Sequence, residues 1–183
     1  MPSKKKTAKF TSRSPAKAHA SSPGRSAALA LEGRQAPRFE LARGDGTMVK
    51  LDDLLRAGNL VLYFYPKDMT TGCTAEACSF RDNLSGVRAL GAQIVGVSAD
   101  SADSHAKFAG KYELNFPLLS DAGNQVGKRY GVYKMKSMYG RQYMGIERTT
   151  FVIDRKGVVR KVFPKVKVTG HTDAVVAALK EIA

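Results

Sequence analysis

Residues 60–81 read LVLYFYPKDMTTGCTAEACSFR. The stretch begins with an unbroken apolar run at 60–65, which stops at a proline and is typical of a strand buried on both faces. A polar loop follows. From about Cys73 to Leu90 the apolar residues recur at helical spacing, so that a cysteine opens the predicted helix. The stretch therefore predicts a buried strand, a loop and a helix in succession.

The sequence on either side alternates between strand and helix patterns. Helical spacing predicts helices at 51–58, 101–114 and 124–130, and a closing helix capped by Thr172 or Asp173. Extended patterns predict a second buried strand at 92–98, a short piece at 116–119, and hairpins at 39–50 and 149–163. This order indicates an α/β fold, with a central mixed β-sheet flanked by helices and an N-terminal β-hairpin.

The chain has 183 residues, enough for one domain with its own core. We predict this domain at 32–183 and a disordered basic tail at 1–31, because the tail has too little apolar surface to order itself. Six consecutive apolar residues fall far short of the roughly 20 in a membrane helix, so we expect a soluble protein. The tail lacks the apolar core of a secretory signal. The expected location is cytoplasmic, and an organelle transit peptide stays open.

The net charge of +14 is concentrated in two blocks. Residues 1–31 hold seven Lys/Arg and no acid, and residues 128–167 hold twelve against two acids. The rest holds eleven basic and fourteen acidic residues, so the protein is not uniformly basic like a general nucleic-acid binder. Contact between the basic tail and nucleic acid stays an alternative function, and a solvated tail is the interpretation we favour.

Cys73 lies where a helix N-terminus stabilises a thiolate. Free backbone N–H groups and the helix dipole can lower a cysteine pKa from about 8.5 into the range of roughly 3.5–7.5. The position therefore favours a nucleophilic cysteine at neutral pH. The alternative is an inert buried thiol, since cysteine is among the most buried residue types.

Cys78 lies five residues further along the same predicted helix. An ideal helix places the two Cα atoms about 8.6 Å apart, whereas a disulfide needs less than about 7 Å. A structural disulfide within an intact helix is therefore excluded. C-x4-C is not a zinc spacing, and the histidines are scattered without partners: His19, His105 and His171. The remaining interpretation is a redox pair that is coupled to local unfolding.

The motif Pro66-x-x-x-Thr70-x-x-Cys73 resembles the active-site motif of the peroxiredoxin family. A second cysteine five residues on is similar to its bacterioferritin comigratory protein, or PrxQ, subgroup. Residues 139–154, YGRQYMGIERTTFVID, also resemble that subgroup. The resemblance covers about residues 33–183 and implies a thioredoxin-like fold. The chain departs from it at Met69 and Thr71, where the subgroup commonly has Asn and Pro.

By this resemblance, Cys73 is the peroxidatic cysteine, Cys78 is the resolving cysteine, and Thr70 and Arg148 orient the peroxide. The side chains suit these roles. A threonine hydroxyl both donates and accepts hydrogen bonds. An arginine is permanently charged and offers a planar fork to two oxygens.

Two further residues are expected to support the site. Pro66 shields the sulfur from water without adding a backbone donor. Glu76 either holds an arginine in place or is an acid favoured by the helix dipole.

The resemblance implies an antioxidant enzyme, a thioredoxin-dependent peroxidase for hydrogen peroxide and alkyl hydroperoxides that needs no cofactor. A monomer is expected, because both cysteines are on one chain. The alternative enzyme is a general thiol-disulfide oxidoreductase, which normally carries C-x-x-C.

Overall fold

The computed structural model describes residues 26–182. The strands are β1 (Glu40–Arg43), β2 (Met48–Lys50), β3 (Asn59–Phe64), β4 (Ala92–Ser98), β5 (Leu118–Ser120), β6 (Tyr133–Met138), β7 (Arg141–Ile146), β8 (Thr149–Ile153) and β9 (Val159–Phe163). The helices are α1 (Leu51–Ala57), α2 (Thr71–Asp82), α3 (Leu84–Ala89), α4 (Ala102–Lys111), α5 (Gln125–Arg129) and α6 (His171–Lys180). A 3-10 turn lies at Leu29–Leu31.

A mixed seven-stranded sheet forms the centre, in the order β2-β1-β5-β4-β3-β8-β9. β3, β4 and β5 run parallel to one another, and β8 lies antiparallel to β3. The β1–β2 hairpin pairs with β5 at one edge. These features confirm the predicted α/β fold with a mixed sheet and an N-terminal hairpin.

Strand β3 is buried along its whole length because helices cover both faces of the sheet. Its side chains alternate between the two faces. Leu60, Leu62 and Phe64 join the core beneath α1 and α5, while Val61 and Tyr63 join the core beneath α2, α3, α4 and α6. The apolar run at the centre of the sequence therefore contributes to both cores.

The pairing of β3 with β8 sets the location of Arg148. Phe64, the last residue of β3, pairs with Thr149, the first residue of β8. The residues before β8 therefore reach the same edge of the sheet as the loop after β3. This edge is where α2 begins.

The helix predicted at 73–90 is two helices. α2 begins two residues earlier, at Thr71, so Cys73 lies within the first turn and does not open the helix. α2 ends at Asp82, and the side-chain amide of the C-cap residue Asn83 donates to the carbonyl of Ser79 at 2.9 Å. Such local side-chain bonds compete with the helical pattern and explain the break before α3.

The caps predicted for the last helix are also wrong. α6 begins at His171, and Gly170 occupies the N-cap position with φ 73°. The hydroxyl of Thr172 bonds instead to that of Ser79 on α2, at 2.7 Å. The β6–β7 hairpin was not expected. The first four residues of β7 are exposed, and its apolar residues Tyr143 and Met144 are adjacent and do not alternate with polar ones.

The domain begins earlier than residue 32. Ala28 is fully buried in the core beneath α5. Gly131 leaves room for this segment, because a Cβ there would lie 2.6 Å from the Cβ of Ala27. Residues 26–31 therefore belong to the folded body. The rest of the predicted tail, 1–25, with its proposed nucleic-acid contact, lies outside the described residues. Within 26–182, no helix is long and apolar enough to cross a membrane.

Candidate active site

Cys73 lies in the first turn of α2, at the carboxyl end of β3. Its side chain is 2% exposed and packs in the core with Tyr63, Tyr65 and Phe80. The N-cap residue is Thr70, whose hydroxyl makes no capping bond within the described chain. The N–H groups of the first turn therefore keep their capacity to stabilise negative charge on the sulfur.

Arg148 is the cation beside this sulfur. Its Nη2 donates to Cys73 Sγ at 3.2 Å, and its Nη1 is hydrogen-bonded to a carboxylate oxygen of Glu76. The N–H of Val166 donates to the Arg148 carbonyl at 3.0 Å and holds its backbone. Burial lowers the pKa of Arg148, but the charges of Glu76 and Cys73 outweigh it and raise the pKa above its ordinary value. The guanidinium stays charged against the sulfur.

Glu76 lies one turn after Cys73 and is 1% exposed. Burial raises its pKa to about 7, although Arg148 acts in the opposite direction. Its Oε2 faces Arg148, whereas no residue of the described part offers a hydrogen bond to its Oε1. Of the two sequence interpretations, the structure shows the contact with an arginine.

Thr70 and Pro66 lie on the exposed side of the loop before α2. The Thr70 hydroxyl donates to the carbonyl of Lys67 at 3.1 Å, and the Thr70 carbonyl accepts from the N–H of Thr74 at 2.9 Å. Thr70 thus joins the loop to the first helical turn.

Cys78 is half-buried, further along the same intact helix, and both cysteines are free. Five helical residues separate the Cα atoms by about 8.6 Å, too far for a disulfide. A bond between the sulfurs therefore requires the start of α2 to unwind.

The sequence suggested that the histidines are scattered without partners, but two of them have hydrogen-bonding partners in the structure. His105 Nδ1 lies 2.9 Å from Asp68 Oδ2 in the loop before α2. His171 Nε2 lies 2.8 Å from the Thr150 hydroxyl, and burial, with Arg148 nearby, lowers the pKa of His171 to about 4. His19 lies outside the described residues. In the described part, no group of three His, Cys, Asp or Glu side chains is placed to hold a metal ion.

Sequence reasoning missed the contact between Asp68, in the loop before α2, and His105. One signal was present: His105 lies three residues before Phe108, on the buried face of a predicted helix. Asp68 and His105 are 37 residues apart in the sequence, and only the order of the strands in the sheet shows that they meet.

A mixed sheet with helices on both faces, and a cysteine in a first helical turn beside an arginine, defines a thiol-dependent enzyme of thioredoxin-like fold. Comparison with known proteins agrees. The AhpC/TSA family model matches residues 33–162. The chain is 50% identical to a Coxiella burnetii protein named putative peroxiredoxin bcp over 147 residues, which are 80% of this chain and 97% of that one. It is 46% identical to peroxiredoxin Bcp of Bacillus subtilis over 151 residues, 82% of this chain and 96% of the relative.

Solved structures give the same result. Peroxiredoxin Q of Xanthomonas campestris has a TM-score of 0.74 at 45% identity, covering 78% of this chain and 90% of that one. The bacterioferritin comigratory protein of the same organism, studied for its alkyl peroxide reduction, has a TM-score of 0.74 at 44% identity, covering 79% and 91%. The chain belongs to the AhpC/TSA family, as a peroxiredoxin of the Bcp/PrxQ type. The expected thioredoxin-like fold and peroxidase class are confirmed.

Proposed function

We propose that Cys73 is the peroxidatic cysteine and that it reduces hydrogen peroxide and alkyl hydroperoxides. The observation that carries the proposal is the 3.2 Å contact between Arg148 Nη2 and Cys73 Sγ at the start of α2. A permanent cation and a helix N-terminus both favour the thiolate, which is the reactive form of a cysteine. The alkyl peroxide activity studied in the 44% identical Xanthomonas protein supports the same substrate class.

The first step is a displacement at oxygen. The Cys73 thiolate attacks one peroxide oxygen, a sulfur–oxygen bond forms and the O–O bond breaks. The other oxygen leaves as hydroxide or alkoxide and takes a proton from solvent. Arg148 and the Thr70 hydroxyl orient the peroxide and stabilise the charge on the leaving oxygen. Cys73 is left as a sulfenic acid.

The second step joins the two cysteines. The start of α2 unwinds, the Cys78 thiol attacks the sulfenic sulfur, and water leaves as an intramolecular disulfide forms. A dithiol protein of the thioredoxin type then reduces this disulfide by exchange and becomes oxidised itself. Pro66 limits access of water to the sulfur, and Glu76 holds Arg148 in place. One chain carries both cysteines, so catalysis needs no partner subunit and the protein acts as a monomer. Its location is the cytoplasm.

The test is peroxide consumption driven by reduced thioredoxin, measured for the wild type and for Cys73→Ser and Cys78→Ser. We expect turnover with the wild type and none with Cys73→Ser. Cys78→Ser should still consume one equivalent of peroxide and stop at the sulfenic acid, which mass spectrometry detects. Fast insulin reduction without peroxide turnover would instead identify a general thiol-disulfide oxidoreductase.

A further inference from the structure

Asp68 is the anchor of the loop that carries Pro66 and Thr70. It is the single buried residue within the described stretch 66–72, and every neighbour in that stretch is exposed. Its side chain points inward under the sheet edge, where it is 6% exposed. The position of the loop above Cys73 therefore depends on what Asp68 contacts.

The Asp68 carboxylate is bonded on both oxygens. Oδ1 accepts from the Tyr65 hydroxyl at 2.7 Å. Oδ2 accepts from the Ser104 hydroxyl at 2.7 Å and faces His105 Nδ1 at 2.9 Å. Burial raises the pKa of Asp68, but the hydrogen bonds from His105, Tyr65 and Ser104 outweigh it, and the pKa lies below its ordinary value. The carboxylate is therefore ionised at neutral pH.

The ionised carboxylate determines which ring nitrogen of His105 carries a proton. A carboxylate only accepts hydrogen bonds, so the proton must be on His105 Nδ1. His105 is 1% exposed, and no described residue bonds to its Nε2. The ring is therefore oriented through Asp68, and α4 supplies a fixed donor to the loop. Charge-assisted bonds of this kind are about twice as strong as neutral ones.

The backbone of the loop is held from a second side. The Asp68 N–H donates to Asp100 Oδ2 at 2.9 Å, and the same oxygen accepts from the Ser98 hydroxyl at 2.7 Å. Asp100 follows β4, the parallel neighbour of β3. The loop is thus attached both to the end of β4 and to the first turns of α4.

Asp68 and Thr70 belong to one tight turn. Met69, between them, has φ 57°, in the left-handed region that few side chains adopt. The Thr70 hydroxyl closes the turn on the Lys67 carbonyl, one residue before Asp68. A displacement of Asp68 therefore moves the Thr70 hydroxyl relative to Cys73 Sγ.

We propose that Asp68 and His105 are positioning residues for peroxide reduction: the buried Asp68–His105 pair holds the 66–70 loop so that the Thr70 hydroxyl meets the peroxide at Cys73. This inference rests on the proposed function. Neither residue touches the peroxide. The pair therefore affects the rate with peroxide and leaves the intrinsic reactivity of the thiolate unchanged.

The experiment compares two reactions of Cys73 in the full chain. Oxidation by hydrogen peroxide needs the positioned Thr70 hydroxyl, whereas alkylation by iodoacetamide needs only the thiolate. His105→Leu removes the donor to Asp68 and should lower the peroxide rate at least tenfold, with alkylation within twofold of wild type. His105→Asn keeps a donor near the Nδ1 position and should restore most of the peroxide rate.

Phe108→Leu is the matched control, because Phe108 is fully buried one turn further along α4 and does not bond to the loop. It should lower the melting temperature without changing the ratio of the two rates. If His105→Leu does not fold, Ser104→Ala decides, since it removes one bond to Asp68 from a less buried site. An unchanged ratio in the folded variant, or an equal change in Phe108→Leu, overturns the inference. Wild-type Cys73 that peroxide does not oxidise would overturn the proposed function instead.

Discussion

The 66–70 loop and the first two turns of α2 meet at Cys73, and they are held in different ways. Asp68 in the loop has a hydrogen-bonding partner on each carboxylate oxygen and on its backbone N–H. In α2, Glu76 Oε1 and Thr74 Oγ1 are both buried, and nothing in the described part bonds to either. The carboxylate and N–H of Asp68 are thus paired, whereas the described part of α2 contains buried polar atoms without partners.

The two buried carboxylates show the consequence. Burial raises the pKa of both, yet that of Asp68 ends below its ordinary value and that of Glu76 ends at about 7. Asp68 accepts from three side chains and is 6% exposed, whereas Glu76 accepts from Arg148 alone and is 1% exposed, so hydrogen bonding outweighs burial at Asp68 and not at Glu76. A buried polar atom without a partner costs about 1–3 kcal/mol. We infer that the loop stays in place during turnover and that the start of α2 is the part that opens.

The largest expected effect comes from removing the cation that the sulfur and Glu76 share. Arg148→Met should lower the rate of Cys73 oxidation by hydrogen peroxide about 100- to 1000-fold, because the thiolate and the leaving oxygen both lose charge stabilisation. Stopped-flow measurement of that rate checks it. Arg155→Met is the matched control, since Arg155 is exposed just beyond the other end of β8. A rate for Arg148→Met within tenfold of wild type would contradict the role.

The next effect concerns Asp68 in the 66–70 loop. Asp68→Asn removes the charge and leaves one acceptor oxygen for the Tyr65, Ser104 and His105 donors, and it should lower the free energy of unfolding by roughly 3 kcal/mol at pH 7. Urea unfolding measures it, with Asp103→Asn on the exposed face of α4 as control. Because the pKa of Asp68 is depressed, its contribution is present above its ordinary pKa of 3.8 and is lost as pH falls through the folded pKa. Equal stability of the two variants at pH 7 would contradict the prediction.

The sequence predicts the parts of the site that lie close together along the chain. The strand, loop and helix around Cys73 follow from an apolar run, a proline and a helical repeat within 22 residues. The break at Asn83 was missed, because Asn is compatible with a helix and its bond to the Ser79 carbonyl is a local choice. The β6–β7 hairpin was missed because little of it is buried, so burial imposes no pattern on its residues.

Contacts between distant segments are harder to predict. Arg148 was found through a resemblance. It is 75 residues from Cys73 in the sequence, and the residues around it do not indicate that the two side chains meet. The Asp68–His105 pair was not found, because each residue alone looks like an ordinary polar residue of a loop or a helix. Only the sheet order, with β4 beside β3, brings α4 to the loop.

The third effect is on the pH dependence of stability. Glu76 has an ordinary pKa of 4.5 and a folded pKa of about 7, so the folded state binds its proton more tightly than the unfolded state. The stabilisation is complete below about 4.5 and is lost as pH rises through about 7. Glu76 should therefore make the protein roughly 2 kcal/mol less stable at pH 7 than at pH 5. Urea unfolding of Glu76→Gln at both values should lack this difference. The same pH dependence in both proteins would contradict the prediction.

The smallest effect distinguishes the two segments during turnover. The first bond of α2 joins the Thr74 N–H to the Thr70 carbonyl, and a Cys73–Cys78 disulfide cannot form without breaking bonds of this turn. Oxidation by one equivalent of peroxide should speed amide exchange in residues 73–80 at least tenfold, which corresponds to about 1.4 kcal/mol. The amides of the 66–70 loop should keep their protection, because the hydrogen bonds to Asp68 do not depend on the start of α2. Cys78→Ser, treated in the same way, cannot form the disulfide and should keep α2 protected.

Unchanged exchange at 73–80 with the disulfide formed would contradict local unfolding. Equal loss of protection in the loop would show that both segments open together and that the bonds to Asp68 do not hold the loop.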